Sequence, residues 1–276
     1  MDLFLLDPIL RNALAEDIGT GDVTTAATIE AGSMAGAELV AKEDFVLAGM
    51  PVAQRVFHLL DANIAFESLL QDGQTVKRGD VLAWLKGSSA VLLQGERVAL
   101  NLLQRLSGVA TLTRRFVDEI AGTNATIVDT RKTTPGLRLL EKYAVRMGGA
   151  GNHRMALYDG VLIKENHVVA AGGIASAVER AKRSVPHTLK IEVEVRDLDE
   201  VRQALDAGAD ILLLDNMNTS QLRAAVELVG DRAETEASGG VNLETVREIA
   251  ETGVKLISVG ALTHSYRSVD ISMLFT

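Results

Sequence analysis

The sequence predicts an α/β fold in two parts, a mixed layer of helices and strands followed by a parallel, barrel-like sheet. Three observations support this prediction. Helical and strand-like segments come in blocks up to about residue 106, whereas from Ala125 onward strand-like runs alternate with helical patterns. The 276 residues are 47% hydrophobic and 24% charged, which is enough material for one large domain or two ordinary ones.

The first part begins with a helix, since apolar residues in 2–16 repeat every three to four positions. "GTGDVTT" then predicts a loop, and 35–50 alternates as strands do. Pro51 opens another helix. Three strands in 64–88, separated by Asp-Gly and Gly-Asp turns, lead into a long helix over about 90–121.

The second part contains six strand-like runs separated by five helical patterns, and several of those helices end in glycine. The runs are "ATIVDT", "GVLIKE", "LKIEVEV", "DILLLD", "AETEAS" and "KLISVG". Repeated β-α units of this length predict a parallel sheet with barrel-like closure. An open doubly wound sheet is the alternative, although no GxGxxG motif follows the first strand.

Composition narrows the functional classes. A formal net charge of -9 argues against nucleic-acid or anionic-membrane partners. The chain has no cysteine, so it has no disulfide and no thiolate nucleophile. The acidic N-terminus does not resemble a signal peptide, and no apolar run approaches the about 20 residues of a membrane span. We therefore expect a cytoplasmic protein.

Polar side chains or glycines follow nearly every strand of the second part, and in β/α barrels these positions line the active site. They include Asp129, Arg131, Lys132, Lys164, Glu165, Asn166, His167, Glu192, Glu194, Arg196, Asp215, Asn216, Ser238, Gly239, Gly240 and Gly260. A single polar strand end is more often a solvated loop, but six that converge indicate a site.

The site has regions of opposite charge. Between Asp129 and His167 the chain carries seven lysines and arginines but four acidic residues, which indicates a pocket for an anionic small molecule. Glu194 and Asp215 end successive strands and could hold sugar hydroxyls or Mg²⁺. "SGGV" and "SVGAL" are typical of a backbone phosphate cradle. A phosphoribosyl donor and an acidic acceptor would fill such a pocket.

One long motif, "DTRKTTPGLRLLEKYAVRMGGAGNHRMALYDGVLIKENH", closely resembles the signature of the quinolinate phosphoribosyltransferase family. "EDIGTGDVTT" and "GERVALNLLQRLSGVAT" upstream, and "EVEV", "LLLDN", "EASGGV" and "SVGALTHS" downstream, extend the resemblance over nearly the whole chain. The resemblance implies transfer of phosphoribose from phosphoribosyl pyrophosphate to quinolinate. The products would be nicotinate mononucleotide, pyrophosphate and CO₂, with Mg²⁺ as cofactor, in NAD biosynthesis.

The resemblance also implies an α/β sandwich, 1–107 plus 266–276, and an incomplete, open TIM-like α/β barrel, 108–265. It implies a homodimer in which each sandwich covers the partner's barrel, with Arg97 acting across the interface. The remaining substrate-binding residues that it implies are Thr130, Arg131, Lys132, Arg138, Lys142, His153, Arg154, Lys164, Glu194, Asp215, Ser238, Gly239, Gly240, Val259, Gly260, Ala261 and His264.

Within this set the resemblance assigns different roles. Arg131, His153 and Arg154 would hold the two quinolinate carboxylates, and Arg138 and Lys142 would line the rim. The catalytic residues would be Lys132, Lys164, Glu194 and Asp215, and the last two would also bind Mg²⁺, directly or through substrate. Residues 238–240 and 259–261 would grip the 5′-phosphate, and His264 would approach the pyrophosphate.

Three alternatives stay open from sequence. A Schiff-base aldolase would use Lys164, because a strand-end lysine in a barrel is the usual placement. A paralogue of the same fold could act on another pyridine carboxylate. Finally, "DGQTVKRGDVLAWL" resembles the hairpin of biotinyl and lipoyl carriers, although a structural hairpin is the more common meaning of this pattern.

Overall fold

The structure, a computed structural model, describes residues 2–276 and divides into two compact units. The first unit comprises the chain up to Arg114 together with Thr134–Gly149 and Ser265–Thr276; the second comprises Arg115–Thr133 and Ala150–His264. The predicted division at residue 108 stays a prediction. The segment Thr134–Gly149 packs with the first unit.

The helices and strands alternate along most of the chain. The helices are α1 (Leu3–Ile18), α2 (Val23–Thr28), α3 (Met50–Leu60), α4 (Ser89–Glu119), α5 (Arg138–Met147), α6 (Glu165–Ala171), α7 (Ile174–Ser184), α8 (Leu198–Asp206), α9 (Thr219–Val229), α10 (Val246–Ala250) and α11 (Ala261–His264). The strands are β1 (Met34–Ala41), β2 (Phe45–Val46), β3 (Ala65–Ser68), β4 (Thr75–Val76), β5 (Val81–Ser88), β6 (Thr126–Val128), β7 (Val161–Ile163), β8 (Ile191–Val195), β9 (Ile211–Asp215), β10 (Glu234–Ser238), β11 (Leu256–Ser258) and β12 (Ile271–Phe275).

The first unit is built on an antiparallel sheet with the strand order β12-β1-β5-β3. Alternate residues of β1 and β5 are buried, as expected for a sheet with one covered face. The predicted loop "GTGDVTT" is shorter than expected, because Asp22 caps α2 by accepting a hydrogen bond from the backbone N–H of Thr25. The Asp22 side chain therefore starts a helix inside the predicted loop.

The second unit contains a six-stranded parallel sheet with the order β6-β11-β10-β9-β8-β7. All six strands coincide with the six strand-like runs of the sequence. Among the described residues β6 and β7 occupy opposite edges and do not pair, so the sheet is not closed. The predicted α/β class with an open barrel-like sheet is confirmed.

Helix caps fix where the crossover helices of the second unit begin. Asp197 accepts hydrogen bonds from the backbone N–H groups of Asp199 and Glu200 at the start of α8. Asn218 and Gln221 form a reciprocal capping box at the start of α9. These caps hold the short connections after β8 and β9, where functional side chains stand. Within residues 2–276, no helix combines the length and the apolarity that crossing a bilayer requires.

Candidate active site

The carboxyl ends of the six parallel strands surround one open pocket in the second unit, with a volume of about 500 Å³. Parallel strands present their carboxyl ends at the same edge of a sheet, which is why residues far apart in sequence meet here. The predicted site residues in its lining are Thr130, Arg131, Lys132, His153, Arg154, Lys164, Glu194, Asp215, Ser238, Gly239, Gly240, Val259, Gly260, Ala261 and His264. Of the predicted set, only Arg97, Arg138 and Lys142 belong to the first unit.

Those three residues occupy different environments. Arg97 is exposed on α4, whereas Arg138 at the start of α5 is half-buried. Lys142, on the same helix, is completely buried. The structure does not place Lys142 at an open rim. Its predicted contact with substrate stays a prediction.

An ion pair and a hydrogen bond organise the acidic side of the pocket. The Nζ atom of Lys164 lies 2.8 Å from Oε2 of Glu194. Asn216 donates from Nδ2 to Oδ2 of Asp215 over 2.8 Å. The two carboxylates therefore face the pocket from β8 and β9, and each has an oxygen donor of the kind that Mg²⁺ takes.

The glycine turn after β10 is shaped by close contact with Asn216. Gly239 has φ of +98°, and Asn216, with φ of +54°, is the only non-glycine residue with positive φ among the described residues. The backbone N–H of Asn216 donates to the carbonyl of Ser238 over 2.9 Å. The sequence analysis placed Asn216 among the strand-end positions but did not predict its contact with the glycine turn, because a positive φ at a non-glycine residue has no clear signature in one sequence.

The cationic side of the pocket is held by the segment after β6. Asp129 is completely buried and accepts hydrogen bonds from Nδ2 of Asn152 (2.6 Å) and from the backbone N–H of His153 (2.9 Å). Thr263 donates from its hydroxyl to the carbonyl of Lys132 over 2.8 Å. These contacts fix the backbone beside the cationic residues, so their side chains start from rigid positions.

A buried acidic cluster lies beneath the cations, formed by His153, Glu192 and Glu236. The Nε2 atom of His153 is 3.0 Å from Oε2 of Glu192 and 3.8 Å from Oε1 of Glu236. The other ring nitrogen, Nδ1, accepts the backbone N–H of Arg154 over 2.7 Å. Since Nδ1 accepts a hydrogen bond, the Nε2 atom carries the ring proton and donates a hydrogen bond to Glu192. The ring then has no lone pair left for a metal ion.

Burial alters the pKa values of two groups here. Burial, and then the neighbouring charge of Glu192, raises the pKa of Glu236 to about 7. Burial, and then repulsion from Arg131, lowers the pKa of Arg154. An arginine that is destabilised by a like charge indicates a positive potential that an anionic ligand would neutralise.

Glu236 is the residue that the sequence analysis missed. It lies in the middle of β10, where "AETEAS" looked like an ordinary strand. A signal was present, however, because Glu236 and Ser238 are two positions apart, as are Glu192 and Glu194 on β8. Residues two apart on a strand share a face. Glu192 therefore points to the same side of the sheet as Glu194, and Glu236 points to the same side as Ser238.

Comparison with known proteins agrees over the whole chain. The model of "Quinolinate phosphoribosyl transferase, C-terminal domain" matches residues 109–274, and the corresponding N-terminal domain model matches residues 22–107. A Bacillus subtilis protein named "Probable nicotinate-nucleotide pyrophosphorylase (carboxylating)" is 46% identical over 273 residues, which cover 99% of this chain and 94% of the relative.

Two solved structures are similar at the level of the fold and of the sequence. A crystal structure of NadC from Streptococcus pyogenes has a TM-score of 0.96 and 41% identity, and covers 100% of this chain and 98% of its own. A nicotinate-nucleotide pyrophosphorylase from Francisella tularensis has a TM-score of 0.96 and 40% identity, with the same coverage. The likeness therefore includes both units.

Proposed function

Since this chain belongs to the quinolinate phosphoribosyl transferase family, we propose that it joins the phosphoribosyl group of phosphoribosyl pyrophosphate to quinolinate and releases CO₂. The products are nicotinate mononucleotide and pyrophosphate, and the chain is a pentosyltransferase of NAD biosynthesis. Its predicted resemblance to this family is confirmed over the whole chain. The observation that carries the proposal is the single pocket in which a cationic cluster faces two strand-end carboxylates.

Recognition of quinolinate requires two carboxylates to be neutralised. Arg131 and Arg154 lie in the pocket lining and supply guanidinium groups, which pair bidentately with carboxylates. Both ring nitrogens of His153 are engaged within the protein, so we propose that His153 acts by holding Glu192 and the backbone of Arg154. A ring rotation would be needed before it could bind a carboxylate directly.

Phosphoribosyl transfer depends on charge neutralisation and positioning. Displacement of pyrophosphate passes through an oxocarbenium-like state at the anomeric carbon. Glu194 and Asp215 tolerate the positive charge that develops on the ribose, while Lys132 and Lys164 neutralise the donor's negative charge. We propose that residues 238–240 and 259–261 hold the 5′-phosphate through backbone N–H groups, and that His264 lies beside the pyrophosphate.

The carboxylates of Glu194 and Asp215 fit Mg²⁺, since both face the pocket and are oxygen donors. When bound, Mg²⁺ would neutralise charge on the leaving pyrophosphate. The structure also weakens the aldolase alternative, because Lys164 holds its amine in an ion pair with Glu194 instead of leaving it available as a nucleophile. A cytoplasmic location, which the cysteine-free sequence favours, stays a proposal.

The test of the proposed reaction is an assay of the purified protein with quinolinate, phosphoribosyl pyrophosphate and Mg²⁺. We expect CO₂ and nicotinate mononucleotide in equal amounts, and no product when nicotinate replaces quinolinate or when Mg²⁺ is chelated. A folded protein that turns over neither acid would contradict the reaction and favour a paralogue that acts on another anion.

We also propose a homodimer in which Arg97 completes the partner's site, supported by the exposed position of Arg97 on α4. Arg97→Ala and Lys132→Ala subunits should each be inactive alone. Because each mixed dimer keeps one intact site, a refolded equal mixture should recover up to about one quarter of wild-type activity. Heterodimers verified by native mass spectrometry that show no recovery would refute a shared site.

A further inference from the structure

Two glutamates interrupt the interior face of the parallel sheet. Glu192 on β8 is 4% exposed and Glu236 on β10 is 1% exposed, at positions where barrels usually place apolar side chains. The structure gives Oε1 of each no hydrogen-bond partner among the described residues. A buried carboxylate oxygen without a partner is costly as an anion, so one of this pair should hold a proton.

The two glutamates have different surroundings. Glu192 accepts a hydrogen bond from Nε2 of His153 and lies near the positive charge of Arg154. Glu236 is 3.8 Å from the same nitrogen and faces Glu192 across it, with Ser258 on β11 as its other polar neighbour. The excess proton of the pair therefore belongs on Glu236, consistent with its raised pKa.

Glu236 also separates two cavities. The upper pocket is the candidate active site, and Glu236, His153 and Arg154 line its floor. A lower chamber of about 360 Å³ lies at the amino ends of the strands, lined in part by Gly160, Lys190, Ile211 and Leu256. Glu236, like His153 and Arg154, borders both cavities, whereas Glu192 borders only the lower chamber.

The proposed reaction needs an acid that no residue has yet been assigned to supply. When CO₂ leaves, the bond between the carboxylate and the ring carbon breaks, and its electron pair stays on that carbon beside the cationic ring nitrogen. A proton must then form the new C–H bond. Arginine does not donate protons in proteins. Under the proposed function Lys132 and Lys164 keep their positive charge to neutralise the phosphoribosyl donor, and His264 lies beside the pyrophosphate instead of the pyridine ring.

We propose that Glu236 is the general acid that protonates this ring carbon after CO₂ departs. Its carboxyl proton passes to the carbon, Glu236 becomes a carboxylate, and a proton from solvent in the lower chamber restores the acid. One substrate mononucleotide and one proton give nicotinate mononucleotide and CO₂, so atoms and charge balance. This inference rests on the proposed function, and it assigns the lower chamber a role as the proton route.

Glu236→Gln separates the two chemical steps. In a single turnover followed by rapid quench, we expect pyrophosphate release within about threefold of wild type, whereas nicotinate mononucleotide formation falls at least about 100-fold. Without a proton donor the carbanion recaptures CO₂, so the mononucleotide that still carries both carboxyl groups should accumulate and be detected by mass. Glu236→Asp keeps an acid and should recover much of the second step.

Two matched variants distinguish chemistry from structure. Glu192→Gln changes the neighbouring buried carboxyl, which does not border the upper pocket, and should slow both steps in parallel through His153. Glu234→Gln lies on the same strand in an exposed ion pair with Lys190 and should leave both steps unchanged. A cooperative thermal unfolding transition, measured for each variant, shows that the variant is folded.

The proposal is overturned if Glu236→Gln forms nicotinate mononucleotide at the wild-type rate, or if it slows both steps equally. It is also overturned if Glu236→Asp is no faster than Glu236→Gln in the second step. Failure of the proposed function has a different signature, because the wild-type protein would then release neither pyrophosphate nor CO₂ from these substrates.

Discussion

Replacing Arg154 with leucine is expected to lower kcat/KM for quinolinate by about a thousandfold, equivalent to about 4 kcal/mol. Two losses add to this value. The variant would lose the charged hydrogen bond that we propose between Arg154 and a substrate carboxylate, and it would leave Glu192 without the positive charge of Arg154. The Nε atom of Arg154 is buried and has no hydrogen-bond partner among residues 2–276, so a donor stands ready for a ligand.

The control for charge alone is Arg154→Lys, which keeps a cation but not the planar fork. In the unaltered protein, Nη1 of Arg154 donates to the carbonyl of Gly160 over 2.9 Å, which holds the guanidinium in place. A lysine should not reproduce this bond together with the proposed bond to the substrate. We expect an intermediate loss of kcat/KM, mostly in KM. Arg183→Ala, at an exposed pair with Glu179, should change nothing.

Steady-state kinetics with quinolinate varied at saturating phosphoribosyl pyrophosphate measure this effect. A loss below tenfold for Arg154→Leu would mean that other cations hold the quinolinate carboxylates, and the assignment of Arg154 to the substrate would be wrong.

The location of the site was predictable because parallel β-α units bring their strand ends to one edge. Arg131, Lys164 and Asp215 are far apart in the sequence, but each follows or ends an apolar run. Once the six runs are identified as parallel strands, their meeting follows from topology alone. The family resemblance then added roles, which no spacing argument could supply.

The buried layer beneath the site was not predictable in the same way. Alternation on β8 and β10 shows that Glu192 and Glu236 point inward, but not that they meet around His153. That contact depends on the irregular segment after α5, where Asp129 fixes the backbone of His153. Irregular segments of this kind carry no periodicity, so their side-chain directions emerge only from the folded chain.

The packing of α5 could not be predicted from sequence for a related reason. Its apolar spacing predicts a helix correctly, but spacing cannot say which sheet the apolar face covers. Glu141, completely buried on this helix, accepts hydrogen bonds from the Arg105 guanidinium and the Thr134 backbone within the first unit. A buried acid paired with one particular arginine is a tertiary contact that decides where the helix packs.

Replacing Gly239 with alanine is expected to destabilise the protein by about 3 kcal/mol and to raise the KM for phosphoribosyl pyrophosphate. Gly239 has φ of +98°, which alanine rarely adopts, and an added Cβ would lie 2.1 Å from Oδ1 of Asn216. Asn216 cannot move freely, because it bonds to Ser238 through its backbone and to Asp215 through its side chain. The methyl group would therefore displace the Asp215 carboxylate as well as the turn.

Gly240 provides the matched control, since it also has positive φ (+63°) but an added Cβ would meet nothing within 4 Å. Gly240→Ala should cost only about 1 kcal/mol, the usual penalty for a left-handed alanine. Equilibrium denaturation of both variants gives the stabilities, and kinetics with varied phosphoribosyl pyrophosphate give the KM values. Equal losses of stability would show that backbone conformation alone decides the effect. Contact with Asn216 would then not be what ties this turn to Asp215, and any coupling between the turn and the Asp215 carboxylate would have to run through another group.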